Sequence, residues 1–339
     1  MNSRRSWAGF LAAAGMLVLI LDAQTAIAGM RSGIELCLRT LIPSLFPFFI
    51  LSILLTGNLL GSRSKILRPV GWLCGIPEGA ESLMAVGFLG GYPVGAQNVA
   101  LAYRRGSLSR SDAERMLAFC NNAGPAFLFG IVGAAFDSHW IAWSLWGIHI
   151  ASALTVAMAV RPAAAGAAVR IPEKSVTLPQ ALQQSLTVMA QVCGWVVVFR
   201  MLLTYLDRWF LWLLPGEAKI ILSGMLELSN GCVQLRSLEN EGLRFIAAAG
   251  LLSLGGLCVC FQTSSVTQGL SLRAYFPGKL LQAAVSVLMS LCVQGLFPAA
   301  YRCTIPPALI VLTLLFALAA LHFLRRSQNS SSIPQPIGV

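Results

Sequence analysis

Long apolar runs separated by short basic loops fill most of this chain. A helix needs about 17 to 25 apolar residues to cross ~30 Å of hydrocarbon. Eight such runs can be drawn, at 7–28, 34–55, 116–136, 140–160, 185–206, 245–265, 280–297 and 308–324. Two further apolar stretches, 82–103 and 220–238, carry their polar break at the centre: GGYPVGAQ from Gly90 to Gln97 in the first, and Glu227, Ser229, Asn230 and Gly231 in the second. Arms of about eight to ten residues, rising 1.5 Å each, reach roughly 12 to 15 Å, the depth of the bilayer midplane. The pattern predicts two re-entrant helical hairpins rather than two more crossings.

Composition agrees with a bilayer. Of 339 residues, 56% are hydrophobic and 11% are charged, which leaves hardly any sequence for a soluble domain. The net charge of +11 is not gathered into a basic patch on a polar domain, so it points to topology and not to nucleic acid. With both stretches drawn as hairpins and Arg4 and Arg5 inside, sixteen lysines and arginines fall on the inner side and six on the outer. Drawing the first stretch as a crossing would throw Arg104, Arg105, Arg110 and Arg115 outside, so the hairpin drawing is preferred, with both termini cytoplasmic. MNSRR and the following apolar run resemble a secretory signal, but the chain continues at once into further spans, which favours a retained first helix. Nine scattered cysteines read as small buried hydrophobes, and the three histidines, His139, His149 and His322, form no metal-ligand spacing.

The order helix, hairpin, broken helix, helix occurs twice, and three crossings per unit turn the second copy over. Inverted repeats with broken helices at the midplane characterise secondary transporters. The expected organisation is an N-terminal helix at 1–30, a first gate-like repeat at 31–161, a cytoplasmic linker at 162–184, an inverted second repeat at 185–300, a C-terminal helix at 301–326 and a cytoplasmic tail at 327–339.

The chemistry gathers at the breaks. In hydrocarbon an interrupted backbone is tolerated only where protein or a watery cavity surrounds it. Gly90, Gly91, Pro93 and Gly95 leave Tyr92, Gln97 and Asn98 near the first tip. In FCNNAGPAF, Asn121 and Asn122 precede Gly124, and Pro125 suits the first position of a new half-helix. The second half answers with Glu227, Ser229 and Asn230, then Gly255, Gly256, Gln262 and Thr263. The candidate substrate-binding set is Tyr92, Gly95, Gln97, Asn121, Asn122, Gly124, Glu227, Ser229, Asn230, Gly256, Gln262 and Thr263. Half-helix N-termini present free amides and partial positive charge, which suits a small anionic solute. Glu227, a carboxylate at the midplane, is read either as coupling transport to a proton or sodium ion or as orienting the substrate. Ser111, Asp112 and Glu114 read as capping chemistry at a helix start. Arg39 pairs with Glu35 four residues earlier, Arg200 is expected to snorkel outward, and Trp140, Trp143, Trp209 and Trp212 form an outer interfacial belt.

GFLGGYPVGAQ followed by YRRGSLSRSDAERMLAFCNNAGPAFLFGIVG resembles the YlbJ family of sporulation integral membrane proteins, which carry the nucleoside-transporter and FeoB gate domain. The resemblance is dense over 87–133 and thinner through GMLELSNG and GGLCVCFQ. It implies an all-α polytopic membrane protein, with about eight transmembrane helices and two re-entrant hairpins in an inverted repeat, resembling concentrative nucleoside transporters. It also implies a role in sporulation at the outer forespore membrane, with dipicolinate as cargo. A nucleoside carrier and a non-transporting membrane scaffold for spore assembly stay open as alternatives. No catalytic residues, metal or cofactor are expected beyond a coupling ion, the partners are the solute and the lipid bilayer, and a homo-oligomer is allowed.

Overall fold

The computed structural model describes residues 2–59, 64–162, 169 and 176–296. All its regular elements are helical. The predicted last span at 308–324 and the tail at 327–339 lie outside the described residues. Six helices are long and apolar enough to cross a membrane: Ala23–Leu59, Arg110–Ala135, His139–Ala159, Leu178–Trp209, Glu241–Val266 and Tyr275–Gly295.

Near the N-terminus the helix boundaries differ from the sequence pattern. α1 (Asn2–Leu21) ends at Asp22, and α2 (Ala23–Leu36) continues through a π-helical turn at Cys37–Leu41 into α3 (Ile42–Leu59). The loop expected at 29–33 is therefore helix. Its glycines serve contact instead of breakage: a Cβ on Gly29 would lie 2.7 Å from the Met201 Cα, and one on Gly33 would lie 2.8 Å from the Val197 Cα. Both partners belong to α10 (Leu178–Trp209), so a Gly-x-x-x-Gly face lets two antiparallel backbones touch. The apolar part of α1, Gly9–Leu21, is short for a crossing.

After α4 (Arg68–Leu73) comes the first helix pair, α5 (Glu81–Gly90) and α6 (Val94–Arg104), joined at Gly91, Tyr92 and Pro93. Gly91 has φ +79°, a conformation that side chains disfavour. Gly87 and Gly95 both lie against the Cys120 carbonyl, where a Cβ on either would collide. The second pair is α11 (Gly216–Leu226) and α12 (Leu228–Gln234), separated by Glu227 alone in an extended conformation. Gly224 and Gly231 bring its two arms into backbone contact.

Two helices are interrupted. α7 (Arg110–Cys120) stops at Asn121, and Pro125 opens α8 (Pro125–Phe127), which runs on as a π-helical turn, Leu128–Val132. α13 (Glu241–Leu254) is parted from α14 (Gly256–Val266) by Gly255 and Gly256, both at positive φ. α9 (His139–Ala159) and α15 (Tyr275–Leu296) are continuous. The order helix, hairpin, broken helix, helix thus occurs twice in the described chain.

The feet of the two pairs lie at opposite ends of the bundle. At one end Arg68 pairs with Glu81 at 2.8 Å, Arg115 donates to the Cys74 and Gly75 carbonyls, Arg161 stacks on Trp72 and Glu114 accepts from the Ser271 amide. At the other Lys219 pairs with Asp207, Arg236 approaches Asp137 at 3.9 Å and Arg244 donates to the Ala135 carbonyl. The Arg39–Glu35 pair forms as the spacing predicts, at 3.1 Å. α7 starts where Ser111, Asp112 and Glu114 mark a helix start: Ser109 is the N-cap and accepts from the Asp112 amide, while Asp112 and Glu114 lie within the helix and pair with Arg115 and Arg110.

Candidate functional site

The hairpin joints and the helix breaks meet. Gly124 of the first break lies against the Gly91 backbone, and Gly256 of the second lies against the Gly224 and Met225 carbonyls. Across the halves, the Tyr92 hydroxyl donates to the Leu252 carbonyl at 2.9 Å, just before the second break. A narrow cleft of ≈ 30 Å³ opens between them, bounded by Gly91, Tyr92, Gly124, Glu227, Ser229 and Gln262, with an apolar wall of Leu41, Leu45, Val192 and Val196 from α3, α10 and the π-helical turn. That volume admits a water molecule or two but no solute of several heavy atoms. The conformation is closed.

Five candidate residues, Tyr92, Gly124, Glu227, Ser229 and Gln262, line this cleft. Three others hold the break together. Asn121, fully buried, accepts from the Ala96 amide at 3.3 Å and donates to the Thr263 hydroxyl at 2.8 Å. It thereby caps α6 and ties the first break to the second broken helix. Gly95 and Gly256 provide room for close backbone approach. Gln97 faces elsewhere, onto an open groove of ≈ 460 Å³ with Arg104, Thr187, Gln191, Ser265 and Gln268.

Glu227 caps its own hairpin. Its carboxylate oxygens accept from the Ser229 amide at 3.0 Å and the Asn230 amide at 2.7 Å, and the side chain is buried. The amides expected to be free at this half-helix start are therefore occupied, as is the Ala96 amide of α6. The expectation of bare N-terminal amides is corrected at these two helix starts: the chain supplies acceptors for the Ala96, Ser229 and Asn230 amides, because an unpaired amide in a dry interior costs several kcal/mol. Arg200 does not snorkel. Its guanidinium donates to the Asn230 side-chain oxygen and to the Ser32 hydroxyl, so it joins α2, α10 and the second hairpin.

One residue here escapes a reading of the sequence. Lys279 looks like an inner-loop charge, yet it is 2% exposed and lies beside the first break. Its ammonium donates to the Gln282 side-chain oxygen at 2.7 Å and contacts the Asn122 side-chain oxygen and the Tyr92 hydroxyl at 3.4 Å each. Asn122 thus belongs to a polar cluster behind Tyr92. The cluster continues through His149: the Ala123 amide donates to its Nε2 at 3.0 Å, so Nδ1 carries the hydrogen shared with Ser253, and Ser253 meets Ser286 at 2.7 Å. A lysine at the edge of an apolar run resembles any flanking charge, and no local signal sets Lys279 apart.

No family model matches the chain, and no solved structure matches it. Among curated proteins, the sporulation integral membrane protein YlbJ of Bacillus subtilis (strain 168) is 28% identical over 132 residues, covering 38% of this chain and 31% of that relative. The chain is distantly YlbJ-like. It matches about a third of the length of YlbJ, whose name describes a membrane protein of sporulation. The relationship and the six apolar helices together make this chain a multi-pass membrane protein.

Proposed function

We propose that the protein is a secondary transporter of a small anionic solute and not an enzyme. The observation that carries this reading is the meeting of two hairpin joints and two helix breaks around one cleft, bounded by Tyr92, Gly124, Glu227, Ser229 and Gln262. Interrupted backbone is costly in hydrocarbon and is kept where it lines a solute path. In this reading 31–161 and 185–300 are inverted halves, with 1–30 and 301–326 as peripheral helices, 162–184 as a linker and 327–339 as a tail. The hairpins enter from opposite faces, which their feet at opposite ends of the bundle support. Cationic groups, buried Lys279 behind Tyr92 and half-buried Arg200 behind Asn230, favour an anion over a cation in the same space.

The cargo proposed is dipicolinate, and the membrane is the outer forespore membrane. The likeness to YlbJ supports the sporulation context, and a compact aromatic dianion suits a cleft that pairs an apolar wall with Tyr92, Ser229 and Gln262 and has cations behind its walls. Purified protein in liposomes is expected to take up labelled dipicolinate saturably, with uridine and adenosine as poor competitors. Strong competition by the nucleosides would move the assignment to a nucleoside carrier. The absence of saturable flux for all three would overturn transport and favour a scaffold.

A further inference from the structure

The Lys279 ammonium sits in surroundings that suit a small monovalent cation. Three neutral oxygens from three separate segments face it: the Tyr92 hydroxyl from the first hairpin, the Asn122 amide oxygen from the first break and the Gln282 amide oxygen from α15. The ammonium also lies 5.1 Å from the centre of the Tyr92 ring. No carboxylate pairs with it among the described residues.

The polarity of this pocket is set independently of the lysine. The Asn122 amide nitrogen donates to the Phe119 carbonyl at 2.6 Å, which turns its oxygen toward the ammonium. The Gln282 amide nitrogen reaches the Asn122 oxygen at 3.0 Å and the His149 carbonyl at 3.4 Å, which turns its own oxygen the same way. Because a backbone carbonyl only accepts, neither amide can be reversed without losing a partner. Two oriented amides and a hydroxyl at an unwound helix form the kind of oxygen cage that strips water from a monovalent ion.

We propose that the first hairpin and the first helix break build a monovalent-cation site, and that Lys279 fills it as a tethered cation. The backbone supports this delivery. Gly278 presses against α7, where a Cβ would lie 2.7 Å from the Ala118 Cβ, so the first turn of α15 is held level with the break. The chain thereby carries its own ion at this position and requires no free sodium there. The site is independent of the identity, or even the existence, of a transported solute.

The test is thermal unfolding of the full-length protein in detergent. K279M keeps the length of the side chain and removes the charge, and its melting temperature should fall by about 5 °C or more. K279A, purified in ammonium chloride, should unfold at a higher temperature in ammonium, potassium or sodium chloride than in choline chloride, and the gain should saturate with concentration. Both wild-type protein and K279M should be insensitive to this exchange of salts. A K279M variant as stable as wild type would overturn the proposal, because the charge would then be dispensable. A K279A variant equally unstable in all four salts, or unrecoverable even in ammonium, would overturn it too.

Discussion

Asn121 and Thr263, 142 positions apart in the chain, share a 2.8 Å hydrogen bond in which the amide of the first helix break donates to a hydroxyl of the second broken helix. The same asparagine accepts from Ala96 at the start of α6, so one side chain joins a hairpin, a break and the opposite half. Asn121→Ala should leave the buried Ala96 amide without its acceptor and destabilise the protein by about 2–3 kcal/mol. Denaturant or thermal unfolding in detergent checks this, and an unchanged midpoint would refute the linking role.

The first hairpin depends on two absent side chains. Gly87→Ala or Gly95→Ala should drive a methyl group into the Cys120 carbonyl and cost near the upper end of about 1–3 kcal/mol, lowering the yield of monodisperse protein. Gly194→Ala provides the contrast. Nothing lies within 4 Å of a Cβ there, in the middle of α10, so stability should hold or rise by up to about 1 kcal/mol.

Glu227 has two separable roles to test. As the cap of α12 it should contribute about 1–2 kcal/mol, lost in Glu227→Ala and partly kept in Glu227→Gln, which retains one acceptor. Stability and solute uptake measured on both variants divide the roles. Glu227→Gln that folds well and transports with unchanged ion dependence would leave only the capping role.

The two hairpin ends give a topological prediction. In a cysteine-free background, Arg105→Cys should be protected from an impermeant maleimide in intact cells, whereas Glu239→Cys should react, since each lies exposed beside the foot of a different hairpin. Equal labelling of the two would contradict entry from opposite faces.

The hairpins and broken helices are legible in the sequence because glycine, proline and asparagine crowded together inside an apolar run cannot sustain a continuous helix. Gly90 to Gln97 and Asn121 to Pro125 mark their own breaks, and Pro125 marks the new helix start. Legibility ends where the same residue type serves an opposite purpose. Gly29 and Gly33 look like loop and are helical contact, because close packing and chain breaking both call for a missing Cβ. Arg200 and Lys279 are hidden differently. Their partners, Ser32 and Asn230 for one and Tyr92, Asn122 and Gln282 for the other, include residues more than a hundred positions away, which no local spacing reveals. Snorkelling is the sensible local answer for a long cation near a helix end, and tertiary acceptors override it.

The seam between α2 and α10 limits how the closed cleft can widen. With Gly29 and Gly33 set against the Met201 and Val197 main chain, the two helices form a strut that cannot part without losing that close contact. In the transporter proposed above, the hairpin-bearing segments would slide along that strut to admit a solute, with the strut's own halves staying together throughout.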